Sequence, residues 1–177
     1  IDALNVCAEK IGRRGVTRQR CIATQACRAA SNGAEFLARV RDETGLDFEI
    51  ITPAEEARLA VTGCSELLDA EAKAGLIFDI GGGSTEISWV TPGAKAESRN
   101  GARRSVDVAA WTSMPIGVVS LSERFGGREM SREGYDEVVN FVRAAIAEFG
   151  DPAGLRDLFS AGDGHYLGTS GTVTSIA

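Results

Sequence analysis

Three consecutive glycines, Gly81, Gly82 and Gly83, stand between two apolar runs with the composition of β-strands. The first run covers 76–80 and the second covers 87–90. This pattern predicts a β-hairpin with an all-glycine turn. Because glycine lacks a Cβ, such a turn can adopt positive φ, and its backbone N–H groups can close around an anion. We therefore interpret the turn as a phosphate-binding site.

Polar residues flank these glycines on both sides. Asp79 precedes the turn, and Ser84 and Glu86 follow it. Mg²⁺ prefers a few carboxylate oxygens together with waters and phosphate oxygens of the substrate, so the two acids indicate a Mg²⁺ site beside the phosphate. A purely structural turn is the alternative, since glycine-rich hairpins also occur without a ligand.

The glycine pattern differs from two better-known phosphate motifs. No Gly-Lys-Ser/Thr follows the glycines, which excludes a Walker loop. A strand-like run follows them in place of a helix, which excludes the dinucleotide-binding fingerprint.

Composition limits the class of protein. The 177 residues are 44% hydrophobic, enough for one sizeable core or two small ones. A net charge of −6 argues against binding of nucleic acid or an acidic membrane. No apolar stretch has the length of a membrane span.

The four cysteines and the chain's first residues bear on its setting. The cysteines include no C-x-x-C pair and only one histidine is present, which favours reduced thiols and a cytoplasmic location over a zinc site. The first residue is Ile1, and neither an initiator Met nor a signal-type apolar core is present. We expect the chain to be a fragment of a longer protein.

A helix start is encoded just before the glycine hairpin. Thr52 has the character of an N-cap, Pro53 suits the first helical position, and Glu55 completes a capping box. Glu56 points about a hundred degrees around the helix from Glu55 and has no such capping task. Glu56 is therefore the better candidate for chemistry, although a solvated first-turn acid is the structural alternative.

The remaining segments give coarser expectations. We expect a strand leading into a loop at 20–27, a solvent loop at 94–104, a strand at 106–111 and the approach to a helix at 116–121. Ser131 is a candidate N-cap for a long amphipathic helix that reaches Phe149. A second small-residue loop, residues 168–172, precedes a helix-like end, and it suits either another anion or an ordinary strand-to-helix turn.

The order of these motifs resembles the exopolyphosphatase and guanosine pentaphosphate phosphohydrolase (Ppx/GppA) family. The residues that carry the resemblance are Ala23-Thr24-Gln25-Ala26-Cys27-Arg28 with Asn32-Gly33 and Phe36, then Ile51-Thr52-Pro53-Ala54-Glu55-Glu56-Ala57-Arg58-Leu59, then Asp79-Ile80-Gly81-Gly82-Gly83-Ser84-Thr85-Glu86, with weaker matches at Pro115-Ile116-Gly117-Val118-Val119 and Gly168-Thr169-Ser170-Gly171-Thr172.

The resemblance implies an α/β fold of the ribonuclease-H-like, actin-like ATPase type. Residues 1–74 would form the latter part of one ribonuclease-H-like domain and include a crossing helix. Residues 75–177 would open the second domain with the glycine-rich phosphate loop. The resemblance also implies Mg²⁺ as cofactor and adds a homodimer as an assembly found among family members, while the residues themselves leave the oligomeric state open.

The reaction implied is removal of a terminal phosphate from inorganic polyphosphate, or from pppGpp. The noncatalytic alternative is a module that binds phosphorylated nucleotides, and a further rival is phosphate transfer from ATP on the same fold. By position, Glu56 would be the general base, and Asp79 and Glu86 would hold Mg²⁺ or orient water. The phosphate-binding residues would be Gly81, Gly82, Gly83, Ser84, Arg28, Gly168, Thr169, Ser170 and Gly171.

One element of the family pattern is absent from this sequence. The family's first phosphate loop has an Asp-x-Gly-Ser-Asn pattern, which does not occur here. We therefore expect weak or no phosphatase activity from the isolated chain and activity from its parent protein.

Overall fold

The computed structural model describes residues 1–98, 101–127 and 129–176, with the backbone alone at 94–98 and 101–104. The chain forms two compact units, Ile1–Pro53 and Ala54–Ala177. The predicted domain boundary at residue 74 lies further along the chain, and the assignment of two ribonuclease-H-like domains stays a prediction.

The first unit packs short strands and helices. Its strands β1 and β2 pair in parallel, with Cys21 opposite Phe48. Val40, Leu46 and Ile51 are buried in this unit. Its elements are α1 (Asp2–Arg13), β1 (Cys21–Ala23), α2 (Gln25–Ala29), α3 (Gly33–Thr44) and β2 (Phe48–Ile50).

The second unit is built on a mixed sheet. The strand order is β5-β4-β3-β6, with β3 antiparallel to β4, β4 antiparallel to β5, and β3 parallel to β6. Its elements are α4 (Pro53–Cys64), a 3₁₀ turn (Ser65–Leu67), β3 (Ala74–Ile80), β4 (Thr85–Ser98), β5 (Gly101–Met114), α5 (Val118–Phe125), α6 (Arg132–Phe149), α7 (Arg156–Ser160), β6 (Gly164–Thr169) and α8 (Ser170–Thr174).

Apolar side chains cover both faces of this sheet. On one face, Val61 and Cys64 of α4 pack against Ile77 and Val90. On the other face, Ile87 and its buried neighbours pack against α5 and α6. Alternate residues of β3 point to opposite faces. Leu76 and Phe78 therefore belong to the α5–α6 face, whereas Ile77 and Asp79 belong to the α4 face.

Several expectations from the sequence are confirmed. Strands β3 and β4 form the predicted hairpin around the glycines. Helix α4 begins at Pro53. Gly45 ends α3 in the left-handed conformation with φ of 72°. Ser131 caps α6 by accepting a hydrogen bond from the N–H of Gly134.

Two local expectations were wrong. The strand at 20–27 ends at Ala23, and the helix α2 replaces the expected loop. The solvent loop expected at 94–104 forms the outer part of a β4–β5 hairpin, with Lys95 opposite Arg104. Residues 99 and 100 of that expected loop lie outside the described residues.

The hairpin accommodates Pro92 through irregular pairing. Register shifts occur between Trp89 and Val90 and again between Pro92 and Lys95. Such bulges tolerate a proline, which has no N–H to donate to a neighbouring strand. The proline therefore does not end the strand.

Over the described parts of the chain, no helix is both long enough and apolar enough to cross a bilayer.

Candidate active site

A polar row crosses the second unit's sheet where β3 and β6 end. Asp79 lies directly opposite Glu86 on β4 and opposite Thr169 on β6, and Glu86 lies opposite Ser113 on β5. Directly paired residues project from the same face of a sheet. These four side chains consequently share the face on which α4 packs.

Helix α4 brings a third carboxylate to this row. Glu56 lies in its first turn and is half-buried. Its negative charge acts on both Asp79 and Glu86 and raises the pKa of each. The structure thus brings together the three acids that the sequence singled out.

Glu86 is the most deeply placed of these acids. Its residue is 3% exposed. The hydroxyl of Ser113 donates to its Oε1 at 2.7 Å, and Ser84 supplies a second side-chain hydrogen bond. Burial raises the pKa of the Glu86 carboxyl, the two serine hydrogen bonds lower it, and the charges of Glu56 and Asp79 raise it further; the balance is a raised pKa.

Asp79 sits between the two small-residue loops. Burial raises the pKa of its carboxyl, a hydrogen bond with Ser170 opposes that shift, and the charge of Glu56 adds to it. The net direction is again upward. Carboxylates that lie close together repel each other, so a bound proton or a bound cation stabilises them. Either would be compatible with a phosphate-binding site.

The glycine turn is tight. The N–H of Gly81 donates to the carbonyl of Ser84 at 2.9 Å. The expectation of positive φ was wrong for Gly81 and Gly82, since neither has it. The turn leaves little room for a side chain at Gly81, because a Cβ placed there would approach the oxygen of Ser84 to 3.2 Å.

The first turn of α5 lies directly against these glycines. The N–H groups of Val118 and Val119 donate to the carbonyls of Gly81 and Gly82, at 3.1 and 2.8 Å. The carbonyls of the turn are therefore engaged by a helix.

The second small-residue loop adjoins Asp79. Ser170 has φ of 80°, and it is the only non-glycine residue of the described chain with positive φ. Its hydroxyl donates to the carbonyl of Ile80 at 2.6 Å, and the hydroxyl of Thr172 donates to the same oxygen at 3.1 Å. Strained backbone of this kind often marks a functional site.

The glycines of this second loop have different surroundings. A Cβ on Gly168 would lie 2.7 Å from the ring of Phe78 and from Cγ1 of Val173. Nothing lies within 4 Å of a Cβ placed on Gly171. Gly168 therefore serves packing, while Gly171 borders open space.

The whole chain matches one protein family. The model of the Ppx/GppA phosphatase family aligns with residues 1–177. The chain belongs to the Ppx/GppA family. The fold class expected from the sequence is confirmed with it, a mixed α/β fold of the actin-like ATPase type.

Solved Ppx/GppA structures give the same result. A PPX-GPPA enzyme of Aquifex aeolicus is 29% identical with a TM-score of 0.65, and the match covers 99% of this chain and 51% of that one. An exopolyphosphatase-like protein is 28% identical with a TM-score of 0.73, covering 97% and 49%. An exopolyphosphatase of Cytophaga hutchinsonii, 24% identical with a TM-score of 0.74, supports the fold. This chain spans about half the length of these relatives.

Arg28, the remaining predicted phosphate ligand, lies in the first unit. Its guanidinium donates to the carbonyl of Ile51 at 2.6 Å and to Oε1 of Gln25 at 3.1 Å. These bonds tie α2 to the end of β2. A phosphate contact by Arg28 stays a prediction.

Two residues of this candidate site escaped assignment from the sequence. Ser113 reaches Glu86 because the strand register places them opposite each other, and no local motif marks it. Gly117 was noted within a weak motif, yet its contact with the glycine turn could be found only in three dimensions.

The carboxylates of this site bear on metal binding. Among the residues that the structure describes, no group of three or more His, Cys, Asp or Glu side chains could hold an ion. Mg²⁺ does not need such a cage, since it binds through one or two carboxylates plus waters and substrate phosphates. Asp79 and Glu86, adjacent hard-oxygen donors that repel each other, fit that mode.

Proposed function

We propose that the intact protein containing this chain removes the terminal phosphate from inorganic polyphosphate. The observation that carries the proposal is the convergence of Glu56, Asp79 and Glu86 on one face of the sheet, at the glycine turn. Membership of the Ppx/GppA phosphatase family supports a phosphoanhydride hydrolase.

The glycine turn would bind the phosphoryl group that is transferred. Phosphoryl transfer asks a protein mainly to position the group and to neutralise charge on its equatorial oxygens. Backbone amides of the turn are suitable donors for those oxygens, while the hydroxyl of the buried Ser84 is engaged with Glu86.

Glu56 would act as the general base. It lies on a different element from the turn, so a water molecule between them could be aimed at the phosphorus atom. A carboxylate that orients this water and accepts its proton contributes about 10² to 10⁴-fold to the rate.

Asp79 and Glu86 would hold Mg²⁺, and Ser113 and Ser170 would keep these carboxylates oriented. When bound, the cation would neutralise part of the charge shared by the acids and the phosphate. The chain's own contribution is to keep both carboxylates in register across β3 and β4.

The test is phosphate release by the intact protein from polyphosphate and from pppGpp, with and without Mg²⁺. Glu56→Gln should lower turnover by about 10² to 10⁴-fold while leaving polyphosphate affinity in place. Glu55→Gln is the matched control, because the neighbouring Glu55 is paired with Arg58 at 2.7 Å. That control should retain nearly full activity.

Each other outcome would correct a different part of the proposal. Hydrolysis of pppGpp alone would replace the substrate. Full turnover by the Glu56→Gln protein would remove Glu56 as the base. Tight binding of polyphosphate without any hydrolysis would identify a binding module.

A further inference from the structure

Helix α5 makes an unusual set of contacts with the glycine turn. Its first N–H groups do not face solvent. Val118 donates to Gly81 O at 3.1 Å, and Val119 and Ser120 both donate to Gly82 O, at 2.8 and 3.2 Å. Two successive carbonyls of the turn thus satisfy the N-terminus of a helix.

These bonds fix the direction of two amides. In a trans peptide the C=O and the next N–H point in opposite directions, and the chain has no cis peptide bond. The N–H groups of Gly82 and Gly83 therefore point away from α5. Since α5 packs on the Phe78 face, through Leu121, the two amides point toward the face that carries Asp79 and Glu86.

The same bonds strengthen both amides as donors. A helix N-terminus carries partial positive charge, and hydrogen bonds in series polarise one another. A peptide whose carbonyl accepts from α5 therefore presents a more positive N–H on its other side. The partial positive charge at the N-terminus of α5 thus polarises the peptides of the turn, and the N–H groups on their other side are directed to the place where the phosphate would bind.

Close approach of α5 depends on Gly117. A Cβ at this position would lie 2.4 Å from both the carbonyl carbon and the oxygen of Gly82, and 2.6 Å from the nitrogen of Gly83. Backbone atoms cannot give way as a flexible side chain can. Even alanine at Gly117 would displace the helix or the turn.

Side-chain bonds reinforce this contact on both sides of Gly117. The hydroxyl of Thr85 donates to the carbonyl of Ile116 at 2.6 Å. The N–H of Gly117 donates to Oγ of Ser120 at 2.8 Å. A turn of glycines, which would otherwise be conformationally free, is thereby held in one geometry.

We propose that α5 is a working part of the phosphate site: it holds the glycine turn and polarises the N–H groups of Gly82 and Gly83. Gly117 and Thr85 act as positioning residues in this arrangement. The inference rests on the proposed function, because it takes phosphate as the ligand of the turn.

The decisive variant is Gly117→Ala in the intact protein. Its affinity for inorganic phosphate, measured by titration calorimetry well below the unfolding temperature, should fall about tenfold or more, because displaced donors no longer match the anion. Amide hydrogen exchange of the turn should also become faster. Gly63→Ala is the matched control, since Gly63 lies on α4 with nothing within 4 Å of its added Cβ.

Thr85→Val provides a second variant in case Gly117→Ala does not fold. Valine keeps the β-branched shape of Thr85 and removes only the bond to Ile116. We expect a smaller loss of phosphate affinity than for Gly117→Ala. Wild-type affinity in Thr85→Val together with a wild-type exchange rate in the turn would contradict the proposal.

The outcomes separate this inference from the proposed function. If the intact protein binds phosphate but hydrolyses neither substrate, and Gly117→Ala loses affinity, the function fails and the role of α5 stands. If hydrolysis is present and Gly117→Ala binds phosphate normally while unfolding more easily, Gly117 matters for folding alone. Failure of the wild-type protein to bind phosphate would overturn the inference outright.

Discussion

The two small-residue loops of the second unit look alike in sequence, yet their surroundings differ. In the loop at 81–84, the carbonyls of Gly81 and Gly82 accept hydrogen bonds from α5, and Asp79 pairs with Glu86 beside the loop. In the loop at 168–171, Gly168 packs under Phe78 and the hydroxyl of Ser170 is bonded to Ile80. One loop is held by a helix, and the other holds the strand that carries Asp79.

Small residues can therefore have two different roles in such loops. A glycine permits either a ligand or a neighbouring protein group to come near the backbone. The space around an added Cβ separates these cases: it is closed by protein at Gly168 and open at Gly171. Composition alone does not distinguish them.

The largest expected effect is a contrast in stability between the loops. Gly168→Ala should lower the free energy of unfolding by about 1–3 kcal/mol, because its Cβ would be 2.7 Å from Phe78 and Val173. Gly82→Ala should change it by about 0.5 kcal/mol or less, since Gly82 is exposed and its added Cβ would be 3.4 Å from Val119. Urea denaturation of the two variants measures the difference, and equal losses would show that the loops are packed alike.

A smaller effect is expected at Ser170, where hydroxyl and backbone can be separated. Ser170→Ala should lose about 1 kcal/mol with the hydrogen bond to Ile80. Ser170→Gly loses the same bond but relieves the strain of φ at 80°, about 1–2 kcal/mol for a residue with a Cβ.

The glycine variant should therefore be the more stable of the two in urea denaturation. Identical midpoints would mean that the positive φ of Ser170 stores no strain.

Local signals predicted the elements whose ends are defined by single residues. Pro53 starts α4, Gly45 ends α3 and Ser131 caps α6, each through short-range geometry that the sequence encodes directly. The glycine hairpin and its two acids could be predicted equally well from the sequence, because Asp79 and Glu86 are neighbours across one turn.

Errors arose where distant pairing outweighs local preference. The segment 94–104 has the polar, small-residue composition of a loop, but pairing of β4 with β5 makes it part of a hairpin. The Ser113–Glu86 bond likewise follows from register across 27 residues.

The last prediction concerns Asp79, which links the two loops. Burial and the charge of Glu56 leave its folded-state pKa above the unfolded value, against the hydrogen bond from Ser170. The ionised form therefore destabilises the fold, and this penalty grows as pH rises through the folded pKa and vanishes below the unfolded one. Asp79→Asn, which can still accept from Ser170, should be more stable than wild type near about pH 8 and equal to it near about pH 3.

Asp151 supplies a control of opposite sign. Hydrogen bonds from the N–H groups of Arg156 and Leu155 lower the pKa of its carboxyl, so its charge stabilises the fold and that gain is lost as pH falls through the folded pKa. Asp151→Asn should be less stable than wild type near about pH 8 and converge with it in acid. If Asp79→Asn were instead less stable than wild type at high pH, as expected for Asp151→Asn, the charge of Asp79 would stabilise the fold. Repulsion among the carboxylates between the two loops would then not destabilise the protein.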